Sequence, residues 1–377
     1  MTRRRLWQLL AAGLAVAVVM HGCALQPRHD GAPSAHFDGV RFHNRLPADK
    51  SLGDIVGFLA TFPFRREAWP QAVANGDYPP RPAPGADGIV VTFVNHSTVL
   101  LSLGEVNVLT DPIWSERASP FSFLGPTRVR APGLALAELP PIDLVLVSHD
   151  HYDHLDLDSL QALAAHGRDG PPLVLAGLGN ESLFEARGIT PYRVLDWWQT
   201  AALGPLEASF VEVRHRSGRG LGDQMKTLWG GFVLRAPQGR VYFAGDTGYG
   251  PHFAAARTRF GGFDLCLLPI AAYRPRDFML PVHLDPQGAV QAHLDLGCRQ
   301  SIAIHHGTFQ LTFETIDEPY AELARALDAA GVPADAFRVL GFGESLRIVA
   351  DGGAGARSAE AAEEGAVAAA QIVEFVE

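Results

Sequence analysis

The stretch that decides the fold runs from Leu144 to Asp156 and reads LVLVSHDHYDHLD. Its first four residues are apolar and two are β-branched, the composition of a strand buried on both faces. Directly after them come His149, His151, Asp153 and His154, with Asp150 and Tyr152 between. In extended chain, residues two apart project to the same side, so His149 and His151 can grip one ion. Asp153 and His154 stand where the chain turns into a following helix and can reach a second ion beside the first. Imidazoles and carboxylates at this density seldom gather without a metal.

Outward from this run, short apolar segments separated by Gly, Asp and Pro predict strands over 89–94, 99–103, 106–109, 144–147, 173–176, 208–213, 231–234, 241–244, 265–269 and 301–304. Helical periodicity predicts helices over 158–166, 181–187, 251–259, 286–296 and 318–330. Strands that end in charged or His-rich loops and alternate with helices imply an α/β fold of stacked sheets covered by helices. A two-ion site needs further ligands, and the strand ends offer them. His215 follows 208–213, Asp246 sits in FAGDTG after 241–244, and His305 follows 301–304. The Asp246 carboxylate could bridge two cations. His306 reads as packing or as support for its neighbour. Asp111, after 106–109, is suited to orient a ligand imidazole by accepting its second N–H rather than to bind metal itself.

The composition fits this reading. Apolar residues make up 47% and charged residues 19% of 377, ordinary for one soluble catalytic domain with trimmings. The net charge of −10 and a pI near 5.8 exclude the Lys/Arg excess of a nucleic-acid surface, so no nucleic-acid partner is expected. There are 3 cysteines, Cys23, Cys266 and Cys298, too few for a disulfide framework or a Cys-rich zinc site. Any metal must be held by His and carboxylate.

The ends read differently from the middle. Arg3, Arg4 and Arg5 precede an apolar run over 6–20, followed by His21, Gly22 and Cys23. That is a secretory leader, shorter than the roughly 20 residues that span a bilayer. A small residue before a cysteine resembles the bacterial lipobox, which predicts lipidation at Cys23 and an exported, periplasmic, membrane-anchored lipoprotein, with simple cleavage or a retained anchor as the alternatives. Residues 24–36, rich in Pro, Gly and polar groups, suit a flexible tether. The hydrolase domain is expected over 37–350, and the Gly-, Ala- and Glu-rich segment 351–377 is expected to be a disordered tail. The apolar stretch 55–64 reads as an amphipathic helix packed on the body.

The run SHDHYDHLD resembles the HxHxDH signature of the metallo-β-lactamase superfamily. VNHSTVLL from Val94, LTDPIWSERASP from Leu109, FAGDTGY from Phe243, AAYRPRDFM from Ala271, VHLDP from Val282 and AIHHGTF from Ala303 resemble the N-acylphosphatidylethanolamine-hydrolysing phospholipases D, over most of the chain from Asn44 to Gly343. The resemblance implies an αββα sandwich with two zinc ions or other divalent metals. His149, His151 and His215 would hold one, Asp153, His154 and His305 the other, with Asp246 bridging. Two such cations can turn a shared water into hydroxide near neutral pH. Oriented by Asp153, it would attack a phosphodiester and release N-acylethanolamine and phosphatidic acid.

Asp153, Asp246 and His283 form the catalytic set this implies. Tyr249, Tyr273 and Arg274 lie with His283 on segments like the family's active-site loops and are expected near phosphate. Trp114, Phe121, Phe123 and the stretch 55–64 are candidates for an acyl-chain groove. Two departures concern the substrate: Arg216 after His215, and His306, stand where such proteins often carry an aromatic. The expected partners are a phospholipid or other phosphodiester and, through the anchor, a membrane surface. The oligomeric state is left open, with a dimer among the options. The competing readings are a metallohydrolase of a small ester, lactone or sugar phosphate, and a non-catalytic binding lipoprotein. The complete ligand set argues against the latter.

Overall fold

Two seven-stranded sheets meet face to face at the centre of the chain. A computed structural model describes residues 28–349 apart from 49, 51, 86 and 221. The first sheet contains β1 (Ile89–Asn95), β2 (Thr98–Leu103), β3 (Val106–Thr110), β4 (Leu144–Leu146), β5 (Leu173–Gly177) and β6 (Tyr192–Leu195) in that order. The second contains β7 (Thr200–Leu203), β8 (Leu206–Val211), β9 (Gly231–Ala236), β10 (Gly239–Phe243), β11 (Phe263–Pro269), β12 (Cys298–Ile304) and β13 (Phe337–Arg338), and β14 (Ser345–Ile348) returns to flank β1. In both sheets antiparallel hairpins give way to parallel strands, from β3 to β6 and from β10 to β13. Parallel strands deliver their C-terminal ends to one edge, which is where ligands gather in α/β sheets.

The helices are α1 (Leu52–Arg65), α2 (Leu157–Leu163), α3 (Glu181–Glu185), α4 (His252–Phe260), α5 (Arg276–Met279), α6 (Pro286–Leu296) and α7 (Glu318–Ala330). Side-chain alternation explains the layers. In β4, Leu144 and Leu146 enter the core between the sheets, while Val145 and the following Val147 enter an outer core with Leu160 of α2 and Phe184 of α3. In β10, Val241 and Phe243 face the same inner core and Tyr242 packs outward against Phe253 of α4, with Val290 of α6 and Leu323 of α7 in that cluster. Because both faces of the inner strands are buried, their sequences read as continuous apolar runs. The result is an αββα sandwich.

The ten predicted strands and the helices 286–296 and 318–330 are present, and α6 carries both a start and a stop signal. The Asp285 side chain accepts from the Gly288 amide, and Gly297 closes the helix in the left-handed region at φ 64. Four strands went unforeseen: β6, β7, β13 and β14 are short and at most weakly apolar, and pairing rather than burial defines them. The helix expected over 158–166 ends at Leu163, and the single-turn α5 carried no periodic signal. Cys266 on β11 and Cys298 on β12 form a disulfide with 6.0 Å between Cα atoms. Too few cysteines for a framework still leave room for one bridge, and only the pairing of β11 with β12 brings these two together.

The described body reaches back before Phe37. His36 lies 2.7 Å from the Asp196 carboxylate and stacks on Trp197 at 4.5 Å, so this end of the expected tether is attached rather than loose. The leader with Cys23, and the tail 351–377, lie outside the described residues. Among the described residues, no helix is long and apolar enough to cross a membrane.

Candidate metal centre

Four strand ends converge on one buried cluster. The loop leaving β4 supplies His149, His151, Asp153 and His154, while His215, Asp246 and His305 come from the ends of β8, β10 and β12. His151 Nδ1 lies 2.8 Å from His149 Nε2 and 3.2 Å from His215 Nε2. Asp153 Oδ2 lies 3.4 Å from both His154 Nε2 and His305 Nε2. Asp246 Oδ2 stands between these two groups, 3.1 Å from His305 Nε2, 3.2 Å from His154 Nε2, 3.8 Å from His215 Nε2 and 4.0 Å from His149 Nε2.

Hydrogen bonds behind the cluster decide which nitrogens face it. Asp111 Oδ2 accepts from His154 Nδ1 at 2.6 Å and from the Ser148 hydroxyl at 2.6 Å, and Ser148 Oγ in turn accepts from His149 Nδ1 at 2.9 Å. One buried carboxylate thereby sets the tautomers of a ligand in each group. The Val282 carbonyl does the same for His215, accepting from Nδ1 at 2.8 Å. With their N–H groups turned outward, His149, His154 and His215 present lone pairs inward. Among the described residues, His154 Nε2, both ring nitrogens of His305 and Asp246 Oδ1 are buried without a hydrogen-bond partner. Buried orphans of this kind are costly unless something satisfies them, and converging lone pairs call for a cation. These His/Asp clusters are able to bind metal, and the donor set fits divalent cations of the zinc type.

The electrostatics differ between the two groups. Burial pushes His149 and His215 well below the usual imidazole range, and His151 down to about 4, so all three are neutral, the form that ligates. Burial works against a charge on His154 too, yet the carboxylates of Asp246, Asp153 and Asp111 hold it well above its ordinary value. Asp153 and Asp246, though buried, are held well below the usual carboxylate range, chiefly by His154.

Bringing the two sheet edges this close requires special backbone. Asp111, His96 and His305 adopt positive φ of 32°, 47° and 60°. The His305 amide donates to the His96 carbonyl at 2.7 Å and so ties β12 of the second sheet to the β1–β2 turn of the first. Gly245, at φ +58, precedes Asp246 where a Cβ would stand 2.5 Å from Ser148 Cβ, so a side chain here would push the sheets apart. Non-glycine residues held at positive φ typically cost about 1–3 kcal/mol each and persist only where the surroundings impose them.

The remaining expected residues fall into two sets. His283, following α5, brings Nδ1 to 3.8 Å from Asp246 Oδ2, with its ring 5.2 Å from that of His215. The others are placed differently. Tyr249 is exposed and donates its hydroxyl to Asp295 on α6. Arg274 pairs with Glu318 and Glu322 of α7, and Tyr273 is fully buried. The indole of Trp114 is partly buried against the outer core and donates to the Leu134 carbonyl. Phe123 is 73% exposed, with Phe121 5.6 Å away. His306 stacks on Phe93 at 4.8 Å and is a packing residue.

His96 was not singled out from the sequence, although its Nε2 donates to Asp153 Oδ2 at 3.0 Å and its ring lies 4.1 Å from that of His305. Its position in VNHST, directly after a strand end, was the available signal. Two buried carboxylates also went unread. Asp150 accepts from the Gly218 amide and the Thr227 hydroxyl and anchors the loop after His215. Glu314 accepts from the Ala272 and Tyr273 amides and anchors the segment leading to α5.

Comparison with known proteins places this geometry. A family model described as a beta-lactamase superfamily domain matches residues 106–306. An uncharacterized protein of Mycobacterium tuberculosis is 41% identical over 248 residues, 64% of this chain, and the match spans only 65% of that relative's length. N-acyl-phosphatidylethanolamine-hydrolyzing phospholipase D 1 of Caenorhabditis elegans is 34% identical over 297 residues, 76% of this chain and 79% of its own. Among solved structures, isothiocyanate hydrolase from Delia radicum gut bacteria superposes with a TM-score of 0.55 at 20% identity, over 69% of this chain and 100% of its own.

Proposed function

This chain belongs to the metallo-β-lactamase superfamily, and we propose that it is a hydrolase that cleaves phospholipid phosphodiesters in the manner of a phospholipase D, taking N-acylphosphatidylethanolamine to N-acylethanolamine and phosphatidic acid. The observation that carries the reading is Asp246 Oδ2 standing between two groups of three donor residues, within 3.1 Å of His305 and 3.8 Å of His215. His149, His151 and His215 would hold one zinc-like ion and Asp153, His154 and His305 a second, with Asp246 common to both. Bound there, such ions supply Lewis acidity to a phosphoryl oxygen and lower the pKa of a water toward neutrality.

The chain's own groups do the rest. His96 donates to Asp153 and fixes the carboxylate on which attack is oriented. Asp111 keeps His149 and His154 in the tautomers that face inward. His283 Nδ1 has no partner among the described residues other than the cluster it faces, and burial keeps the imidazole neutral, which suits it to donate a hydrogen bond to a phosphoryl oxygen. Beside His283 an aromatic floor supports the lipid reading. Phe58 of α1 stacks on Phe278 at 4.9 Å and on Phe313 at 5.3 Å, and Phe62 packs on Phe313 at 5.9 Å. Each acyl methylene buried there would contribute about 0.8 kcal/mol.

The proposal extends to location. The leader pattern, Cys23 and a disulfide of the kind that persists in oxidising compartments support an exported, lipid-anchored enzyme. The test is turnover of N-acylated phosphatidylethanolamine against a short soluble diester, with metal analysis on the same sample. Long-chain lipid should turn over faster, and oxygen from labelled water should appear in the phosphatidic acid. Equal rates on the two substrates, or release of diacylglycerol, would refute it.

A further inference from the structure

A lysine from outside both sheets stands beside the metal cluster on its His215 and His283 side. Lys50, just before α1, places Nζ 3.8 Å from the centre of the Phe278 ring and 3.9 Å from Met279 Sδ. Met279 ends α5, the turn that carries His283, and its carbonyl accepts from the His283 amide at 2.9 Å. Lys50 is close enough to disfavour a positive charge on His283, while Arg216 is close enough to do the same to Lys50 and to His151. Two cations from distant parts of the sequence thus share one side of the site with the His283 imidazole. Arg216 is held in place by a hydrogen bond to Gln224 Oε1 at 2.7 Å.

Lys50 is a half-buried ammonium on an apolar floor, and no carboxylate among the described residues stands against it. Burial, with the charge of Arg216 added, pushes it down to about 7. Such a group is poorly solvated and poorly balanced, and an anion docked beside it would correct both defects. Arg274 and Arg276, on the same side, are matched to Glu322, whereas Lys50 makes no ion pair among the described residues.

We propose that Lys50, with Arg216 behind it, is a substrate-binding residue that receives an anionic phosphodiester oxygen beside the metal cluster and so selects charged diesters over neutral esters. The inference rests on the phosphodiesterase reading, because it needs an anionic substrate. It adds a determinant contributed by the segment before α1, outside the stretch matched by the superfamily domain. It also gives Arg216, which replaces an aromatic residue, a reason to be basic.

The experiment uses the metal-loaded full chain with two probes that differ by one charge, dimethyl phosphate and trimethyl phosphate. Wild type should bind the anion more tightly than the neutral ester. Lys50→Met should weaken anion binding about tenfold, leave neutral-ester binding, metal content and melting temperature unchanged, and Lys50→Arg should restore most of the loss. Equal anion binding by wild type and Lys50→Met, or failure of wild type to bind dimethyl phosphate, overturns the proposal. Lipid turnover, measured in parallel, separates the two ideas. If wild type binds the anion through Lys50 but does not cleave the lipid, the phospholipase reading falls and the Lys50 site stands. If it cleaves the lipid with the same KM in Lys50→Met, the reverse holds.

Discussion

The two sheets supply the metal cluster in opposite ways. The first delivers His149, His151, Asp153 and His154 from one loop after β4, whereas the second delivers His215, Asp246 and His305 singly, from the ends of three strands. A contiguous set keeps its spacing whatever the rest of the fold does. The dispersed set meets only if β8, β10 and β12 hold their register and the two sheets approach to within the contact at Gly245. The dispersed half therefore depends on packing, and single changes there should be felt across both groups of donors.

The sharpest way to break this contrast is at Asp246. Asp246→Asn should strip both ions and abolish turnover, beyond the ~10–100-fold that losing an outer partner costs, while His149→Ala should leave one group of donors intact. Elemental analysis of the two variants checks it, and equal metal content in both would dissolve the distinction. Next comes Asp111, the carboxylate that serves His149 and His154 together. Asp111→Asn should weaken metal binding about 10–100-fold, read by chelator competition, because it unsettles the tautomer of one ligand in each group.

A smaller effect is expected where the sheets touch. Gly245→Ala strains a left-handed residue and drives a methyl against Ser148, which should lower stability by about 1–3 kcal/mol in denaturant unfolding. Metal affinity should fall with it, since Asp246 is the next residue. A stabilised or unchanged Gly245→Ala would mean that the sheets have room to spare. The least effect should come from Phe123, which is 73% exposed beside the ring of Phe121. Phe123→Ser should change stability by no more than about 0.5 kcal/mol and should reduce turnover of micellar lipid only, leaving a soluble diester unaffected.

The same contrast explains which features were legible. The β4 run announced itself because a strand buried on both faces must be apolar and a buried metal cluster must be polar, and the junction of the two is abrupt at Ser148. His215, Asp246 and His305 were readable only as recurrences of that junction at other strand ends. His96 was not, because a single polar residue in a strand turn has the same local appearance whether it faces solvent or a carboxylate 3.0 Å away. The expected roles of Tyr249 and Arg274 rested on neighbouring phrases and that of Trp114 on its apolar ring, and side-chain direction depends on partners elsewhere, Asp295, Glu318 and the Leu134 carbonyl.

By itself, then, the sequence determined the layered α/β architecture and the chemistry of the donor groups, both of which follow from local periodicity and residue chemistry. Only the tertiary structure decided which nitrogens face inward, that β11 and β12 bring Cys266 and Cys298 together, and that Lys50 comes to rest on Phe278 beside His283. Those outcomes depend on strand register and on contacts between residues far apart in the chain, and no periodicity within a single segment encodes a distance across two sheets.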